Sequence, residues 1–143
     1  MGIVYRKIEN VQEAQLAADL ENACLSTAWS KEQILNIPDY AIYISAFEGE
    51  TLCGIASMYT IAGEGQIMNL AVSENHRRRG IANGLMNELT LYALDKNCDI
   101  ITLEVAEDNL SAISLYEKCG FVSVGKRNGF YNGKNALIME KKL

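Results

Sequence analysis

The chain has one proline, one histidine and one tryptophan in 143 residues. A single proline rules out a proline-rich linker. No apolar run approaches the ~20 residues a membrane helix needs. His76 is the only histidine, and Cys24, Cys53, Cys98 and Cys119 lie far apart with no C-x-x-C pair. That composition argues against a Cys/His metal site, so no metal is expected. The thiols read instead as buried or half-buried groups of a reducing compartment, with Cys53 and Cys98 beside apolar segments. A basic excess is also missing. The net charge of −5 argues against nucleic-acid binding and would suit a basic peptide or protein partner. The first residues, MGIVYRKIEN, lack the basic-then-apolar layout of a signal peptide. Met1-Gly2 has the form of a myristoylation start, but a strand follows at once, and it is taken as chance. The expectation is a cytoplasmic chain with no membrane partner.

What is present is ordinary for a globular fold: 49% apolar and 22% charged residues, enough for one domain over residues 1–143. Residues 3–8 (IVYRKI) read as a strand. Residues 11–25 read as a helix capped by Asn10, with Val11, Ala14, Leu16, Ala18, Leu20 and Leu25 forming a broad apolar face. Ser30 and Gln33 form a capping box for a short helix that turns Ile34 and Leu35 inward and stops at Pro38. Strands follow over residues 41–47, 51–61 and 66–72, joined by short turns that imply antiparallel neighbours. Residues 79–95 form the longest helix, with Ala82, Leu85, Met86, Leu89 and Ala93 as its buried stripe. Residues 99–105 (DIITLEV) form a strand, Asn109 caps a helix ending at Cys119-Gly120, and residues 121–127 and 136–140 form a closing pair. Two Asn-Gly pairs, at 128–129 and 132–133, fall in the loop between them. The order β-α-α-β-β-β-α-β-α-β-β predicts an α/β fold of the mixed α+β kind. A mostly antiparallel sheet of six to seven strands is flanked by about four helices, with one parallel β-α-β unit over residues 66–105.

Chemistry concentrates in QIMNLAVSENHRRRGIA, residues 66–82. An apolar strand runs into a polar turn, and Arg77, Arg78, Arg79 and Gly80 open a helix. Amides at a helix start lack intrahelical partners and favour phosphate oxygens. Gly80 and Ala82 let an anion approach the backbone, and the arginines add charge-assisted bonds. Spacing alone leaves this open against an ordinary solvated basic turn. The stretch has neither the Lys-Ser/Thr ending of a P-loop nor the three spaced glycines of a dinucleotide fingerprint. Glu104 sits mid-strand between Leu103 and Val105 and projects from the opposite face. A carboxylate there reads either as a general base with a pKa raised by desolvation, or as a strand-end group turned to solvent or paired with a lysine. Tyr116, on the apolar face one turn after Ile113, reads as a proton donor or as helix packing.

Arg77-x-x-Gly80-x-Ala82 resembles the [Q/R]-x-x-G-x-[G/A] acyl-coenzyme A motif of the GNAT N-acetyltransferase superfamily. Leu103-Glu104-Val105, Asn109, Ala112-Ile113, Leu115-Tyr116-Glu117 and Gly120-Phe121 resemble its ribosomal-protein-alanine N-acetyltransferase branch. So do Trp29-Ser30 and residues 136–139 (ALIM). The resemblance covers nearly the whole chain and implies the GNAT fold. It implies acetyl-CoA as cofactor, released as CoA. Leu70, Ala71 and Val72 would pair with the pantetheine arm, and Arg77, Arg78, Arg79, Gly80, Ile81 and Ala82 would hold the diphosphate. Asn109 would meet the arm. Glu104 would act as base and Tyr116 as acid beside the cofactor. Trp29, Asn69, Arg127 and Tyr131 would face the acceptor. Ala28, Ala106, the 126–131 loop (KRNGFY) and Asn135 depart from the branch pattern, all on the acceptor side. The implied acceptor is a protein N-terminus such as that of a ribosomal protein beginning with alanine. A polyamine, amino sugar or drug amine is the alternative, and a non-catalytic coenzyme A-binding module a third reading. The expected assembly is a monomer or weak homodimer.

Overall fold

The computed structural model describes residues 2–131 and 133–143, apart from the side chains of Phe130 and Tyr131. Its strands are β1 (Val4–Lys7), β2 (Ala41–Glu48), β3 (Thr51–Ile61), β4 (Glu64–Val72), β5 (Ile100–Ala106), β6 (Val122–Tyr131) and β7 (Lys134–Lys142). Its helices are α1 (Val11–Cys24), α2 (Lys31–Leu35), α3 (Ile81–Asp95) and α4 (Leu110–Lys118). The strands form one seven-stranded sheet in the order β1-β2-β3-β4-β5-β7-β6. Every neighbouring pair is antiparallel except β4 and β5. The expected mixed α/β architecture is therefore the observed one, with α3 as the crossover that makes the parallel pair.

Each face of the sheet has its own core. On one, α3 and α4 bury Leu85, Leu89 and Tyr116 against Ile101, Leu103 and Phe121. Truncating a fully buried leucine such as Leu85 to alanine would cost about 2–5 kcal/mol. Gly54 allows α3 to lie this close. A Cβ there would stand 3.1 Å from both the Ala71 carbonyl oxygen and Leu85 Cδ1. On the other face, α1 and α2 pack Ala14, Ala17, Ala18 and Ile34 on Tyr43, Ile55 and Ala71. These two helices cover the sheet as far as β4. Past it the face is open: Met68 is exposed, and Thr102, Glu104 and Ile138 are half-buried.

Several expectations need correction. The buried face of α1 is Ala14, Ala17, Ala18 and Glu21, whereas Val11 and Leu16 are exposed. The repeat at i, i+3, i+4 and i+7 selects small residues that bring the helix onto the sheet, and it carries a glutamate inward. Leu35 is likewise exposed while Ile34 is buried. β4 begins at Glu64 because Ala62 and Gly63, both at positive φ, make the β3–β4 turn in two residues. α3 begins at Ile81 because Arg78 and Gly80 are both left-handed and cannot join the helix. Ile81, not Ala82, therefore takes the first buried position of its stripe. Asn128 and Gly129 lie within β6 rather than in a loop. Asn132, of the second Asn-Gly pair, lies outside the described residues.

Candidate active site

The parallel pairing of β4 with β5 runs only from Glu64↔Ile100 to Gln66↔Thr102. β5 continues beside β7 as far as Ala106. β4 continues to Val72 beside β3, but the register slips, so that Asn69 faces Ser57 while Ile67 faces Met58. Met68 is the extra residue. A bulge of this kind sharpens the local twist and turns a strand away from its neighbour. β4 and β5 therefore part into a wedge, and residues 67–72 keep backbone groups that no strand among the described residues pairs on the β5 side.

A cavity of about 690 Å³ fills the wedge. Leu70, Ala71 and Val72 line one wall, with Asn69 beside them. At its outer end are Arg77, Arg78, Gly80, Ile81 and Ala82. Gly80 is the N-cap of α3, with φ 78°, and no side chain caps the amides that follow. They are thus orphan donors at the positive end of a fifteen-residue helix, the arrangement that binds phosphate oxygens. Arg77 braces the turn, its Nε donating to the Val72 carbonyl at 3.2 Å. Arg79 is placed differently from its two neighbours. It leaves the cavity lining and makes a bidentate pair with Glu48 at the β2–β3 turn. That pair lowers the pKa of Glu48 and raises that of Arg79.

The inner wall is made by β5 and α4. Glu104, Asn109 and Tyr116 all line the cavity. Asn109 Oδ1 accepts from the Ala112 amide at 3.3 Å, so the cap residue also faces the wedge. Tyr116 is buried and stands edge-on to Phe121, with centroids 6.1 Å apart. Leu103 and Val105 enter the core under α3, which sends Glu104 to the opposite, open face. There it accepts from Arg127 of β6, at 2.9 Å from Nε and 2.7 Å from Nη2. The cation beside Glu104 is thus an arginine, where the sequence offered a lysine. Lys126 pairs with Glu107 at 3.5 Å, and Lys134 pairs with Asp108. The Lys134 ammonium holds Asp108 below the usual carboxylate range. Three ion pairs therefore tie the β6–β7 hairpin to β5 and the β5–α4 turn.

Trp29 does not line the wedge. It stacks on Tyr59 and tilts against Tyr43, centroids 6.1 Å apart in each case, beside a shallow cleft with Gln33, Asn36 and Tyr40. The side chain of Tyr131 lies outside the described residues. Among the thiols, Cys24 lines the wedge, 3.8 Å from the Val72 carbonyl. Cys119 lies outside the lining, bonded to Asn83, and burial pushes its thiol up.

Sequence reasoning missed Glu21. Its side chain is wholly buried among alanines, yet both carboxylate oxygens are hydrogen-bonded. Oε1 accepts from the Trp29 amide at 2.9 Å and from Asn69 Nδ2 at 2.7 Å, and Oε2 accepts from the Tyr43 hydroxyl. Burial raises its pKa, opposed by those three hydrogen bonds. The signal was available: residues 14, 17, 18 and 21 fall on one helical face, and a carboxylate at a core position needs partners.

The profile of the Acetyltransferase (GNAT) family matches residues 8–121. The chain belongs to that family. An N-alpha-acetyltransferase of Saccharolobus solfataricus is 36% identical over 92 residues, 62% of this chain, and the chain spans 54% of that relative's length. The ribosomal-protein-S18-alanine N-acetyltransferase of Escherichia coli shares the fold, with a TM-score of 0.87 at 22% identity, over 99% of this chain and 94% of that one. The paia N-acetyltransferase of Thermoplasma acidophilum, solved in complex with coenzyme A, gives a TM-score of 0.82 at 21% identity and full coverage of both chains. Family members use acetyl-CoA, and the residues of this wedge fit that molecule. Uncapped amides and Arg78 meet the needs of a diphosphate. The unpaired edge of β4 offers main-chain partners to an amide-bearing arm, in the manner of an added strand.

Proposed function

We propose that this chain transfers the acetyl group of acetyl-CoA to a primary amine, and that its acceptor is the N-terminal α-amine of a protein, such as a ribosomal protein beginning with alanine. The position of Glu104 carries the reading. Its carboxylate stands on the open face of the sheet at the inner end of the wedge, with Tyr116 reaching the same cavity from the helical side. An amine arriving over the open face meets a base before it meets the cofactor.

A typical α-amine has a pKa of about 8 and must lose a proton before its nitrogen can attack. Arg127 holds Glu104 as one cation; the incoming ammonium takes its place as another. The exchange costs little, because a pair this exposed is worth about 0–1 kcal/mol. Glu104 then takes the proton. Acetyl-CoA supplies the acyl group as a thioester. Free amides among residues 70–72 donate to the carbonyl oxygen on which charge develops. Tyr116 gives its hydroxyl proton to the departing sulfur and regains one from the second proton that the acylated nitrogen sheds. Direct transfer fits better than a relay through Cys119, which lies outside the lining and whose thiolate burial disfavours. The names of the archaeal relative and of the Escherichia coli neighbour support a protein N-terminus as acceptor. That acceptor is met in the cytoplasm, where we place the chain, as a monomer or weak homodimer.

The test is a turnover screen with acetyl-CoA, read by release of free thiol. Peptides with varied N-terminal residues run beside polyamines and amino sugars, and mass spectrometry locates the label. Acetylation of the α-amine of an alanyl peptide is expected. Preference for a polyamine or amino sugar would move the chain to the small-amine reading. Coenzyme A binding without turnover of any amine would make it a binding module.

A further inference from the structure

The reaction just described makes no use of Glu21, although it is the most deeply buried carboxylate of the fold. Three neutral donors converge on it, from the Trp29 amide, Asn69 and Tyr43. No lysine or arginine pairs with it among the described residues. Burying a carboxylate without a counter-ion is costly even when its hydrogen bonds are complete, and an apolar side chain would fill the same space more cheaply. Its presence calls for a role beyond packing.

Its partners point to the wedge. Asn69 is the residue after the bulged Met68 and lines the cavity while being only 6% exposed. A carboxylate receiving three donors can only accept, so Asn69 must turn its Nδ2 toward Glu21. The amide orientation is therefore set, and Oδ1 is the end left for the cavity. Ser57 faces Asn69 across the β3–β4 ladder, fully buried, and its Oγ finds no partner among the described residues. The second partner, the Trp29 amide, belongs to the α1–α2 turn, whose residues Leu25, Ser26 and Thr27 also line the wedge. Glu21 thus ties the bulge to the turn that bounds the open side of the cavity.

We infer that Glu21 is a positioning residue for the acceptor: through Asn69 it presents a carbonyl oxygen that takes a hydrogen bond from the acceptor nitrogen, and through the Trp29 amide it holds the turn beside it. This rests on the reading that the amine approaches over the open face. A primary amine then has one N–H for Asn69 and another for Glu104. An acceptor nitrogen with no hydrogen to spare finds no partner at Asn69.

The experiment measures kcat and KM for both substrates, using the acceptor that the wild type turns over best. Asn69→Ala, Glu21→Leu, their combination and Glu21→Gln are compared. Asn69→Ala should raise the acceptor KM about tenfold, the scale of one lost buried hydrogen bond, with the acetyl-CoA KM within about twofold. Glu21→Leu should reproduce that split, and the double variant should be no worse than either single one, because both remove the same bond. Glu21→Gln, which still accepts from Asn69 and Trp29, should restore the acceptor KM. If Glu21 serves stability alone, Glu21→Leu lowers the melting temperature and leaves both KM values unchanged per folded molecule, and the inference falls. If Glu21→Leu does not fold, Asn69→Ala decides by itself: an unchanged acceptor KM overturns the inference. A wild type that acetylates no amine would instead overturn the proposed function, so the two failures are distinct.

Discussion

The cofactor side of the wedge is built from backbone and small residues, and the acceptor side from charged and polar side chains. On the first side, an unpaired strand edge and the amides after Gly80 make the surface, and the side chains mostly need to be absent. On the second side, Glu104, Arg127, Asn69 and Glu21 come from β5, β6, β4 and α1, and their hydrogen bonds arrange one another. Backbone donors are held by the fold and are hard to change one at a time. Side-chain arrangements can be altered residue by residue without disturbing the sheet. The difference teaches where variation in specificity can accumulate: on the open face and its β6–β7 hairpin, while the wedge continues to hold the same donor of the acyl group.

Substitutions should separate the two sides. The largest effect among these is expected at the junction. Tyr116→Phe removes only a hydroxyl, and its ring remains against Phe121. Turnover should fall about 10²-fold or more, with coenzyme A affinity by calorimetry nearly unchanged. On the cofactor side, Gly80→Ala places a Cβ at φ 78°, where open space leaves no clash. The left-handed conformation then costs about 1–2 kcal/mol and shifts the amides, so coenzyme A should bind about tenfold more weakly while the acceptor KM stays put. A smaller effect distinguishes neighbouring arginines. Arg78→Ala should weaken coenzyme A binding several-fold, on the order of one charge-assisted bond. Arg79→Ala, already engaged by Glu48, should leave that affinity alone, and equal losses would mean that Arg79 turns inward with ligand.

The smallest effect is one of stability. Burial raises the Glu21 pKa above its ordinary 4.5. The folded state therefore binds this proton more tightly than the unfolded chain. The resulting stabilisation is complete below the ordinary value and is lost as pH rises through it to the folded value. Denaturant titrations at pH 4 and pH 7 should show wild type losing ground to Glu21→Gln as pH rises. A difference that does not depend on pH would show that burial does not perturb this carboxylate.

Much of the fold was legible because periodicity and punctuation agree. Ser30 and Gln33 form the capping box, Asn10 and Asn109 cap their helices, and Gly120 ends α4 at φ 97°. The family resemblance rested on short motifs for the same reason that the cofactor side was readable: its requirements are local, a glycine at a helix start and an apolar strand before it. The start of α3 was misplaced because Arg78 adopts a left-handed conformation that nothing in its side chain announces. The splay of β4 from β5 depends on register and on one bulged residue, which alternation of apolar residues does not encode. The pairing of Glu104 with Arg127 spans 23 positions, and that of Glu21 with Asn69 spans 48. Contacts so distant in sequence are made by the sheet, and the acceptor side consists largely of them.

The division between the two sides is tested most directly by Glu104→Gln, assayed for turnover and for coenzyme A binding on the same preparation. Loss of a general base predicts a fall in kcat of about 10²–10⁴-fold, with a coenzyme A dissociation constant within about twofold of wild type. Full turnover by the variant, or a coenzyme A affinity that falls in step with kcat, would contradict the account.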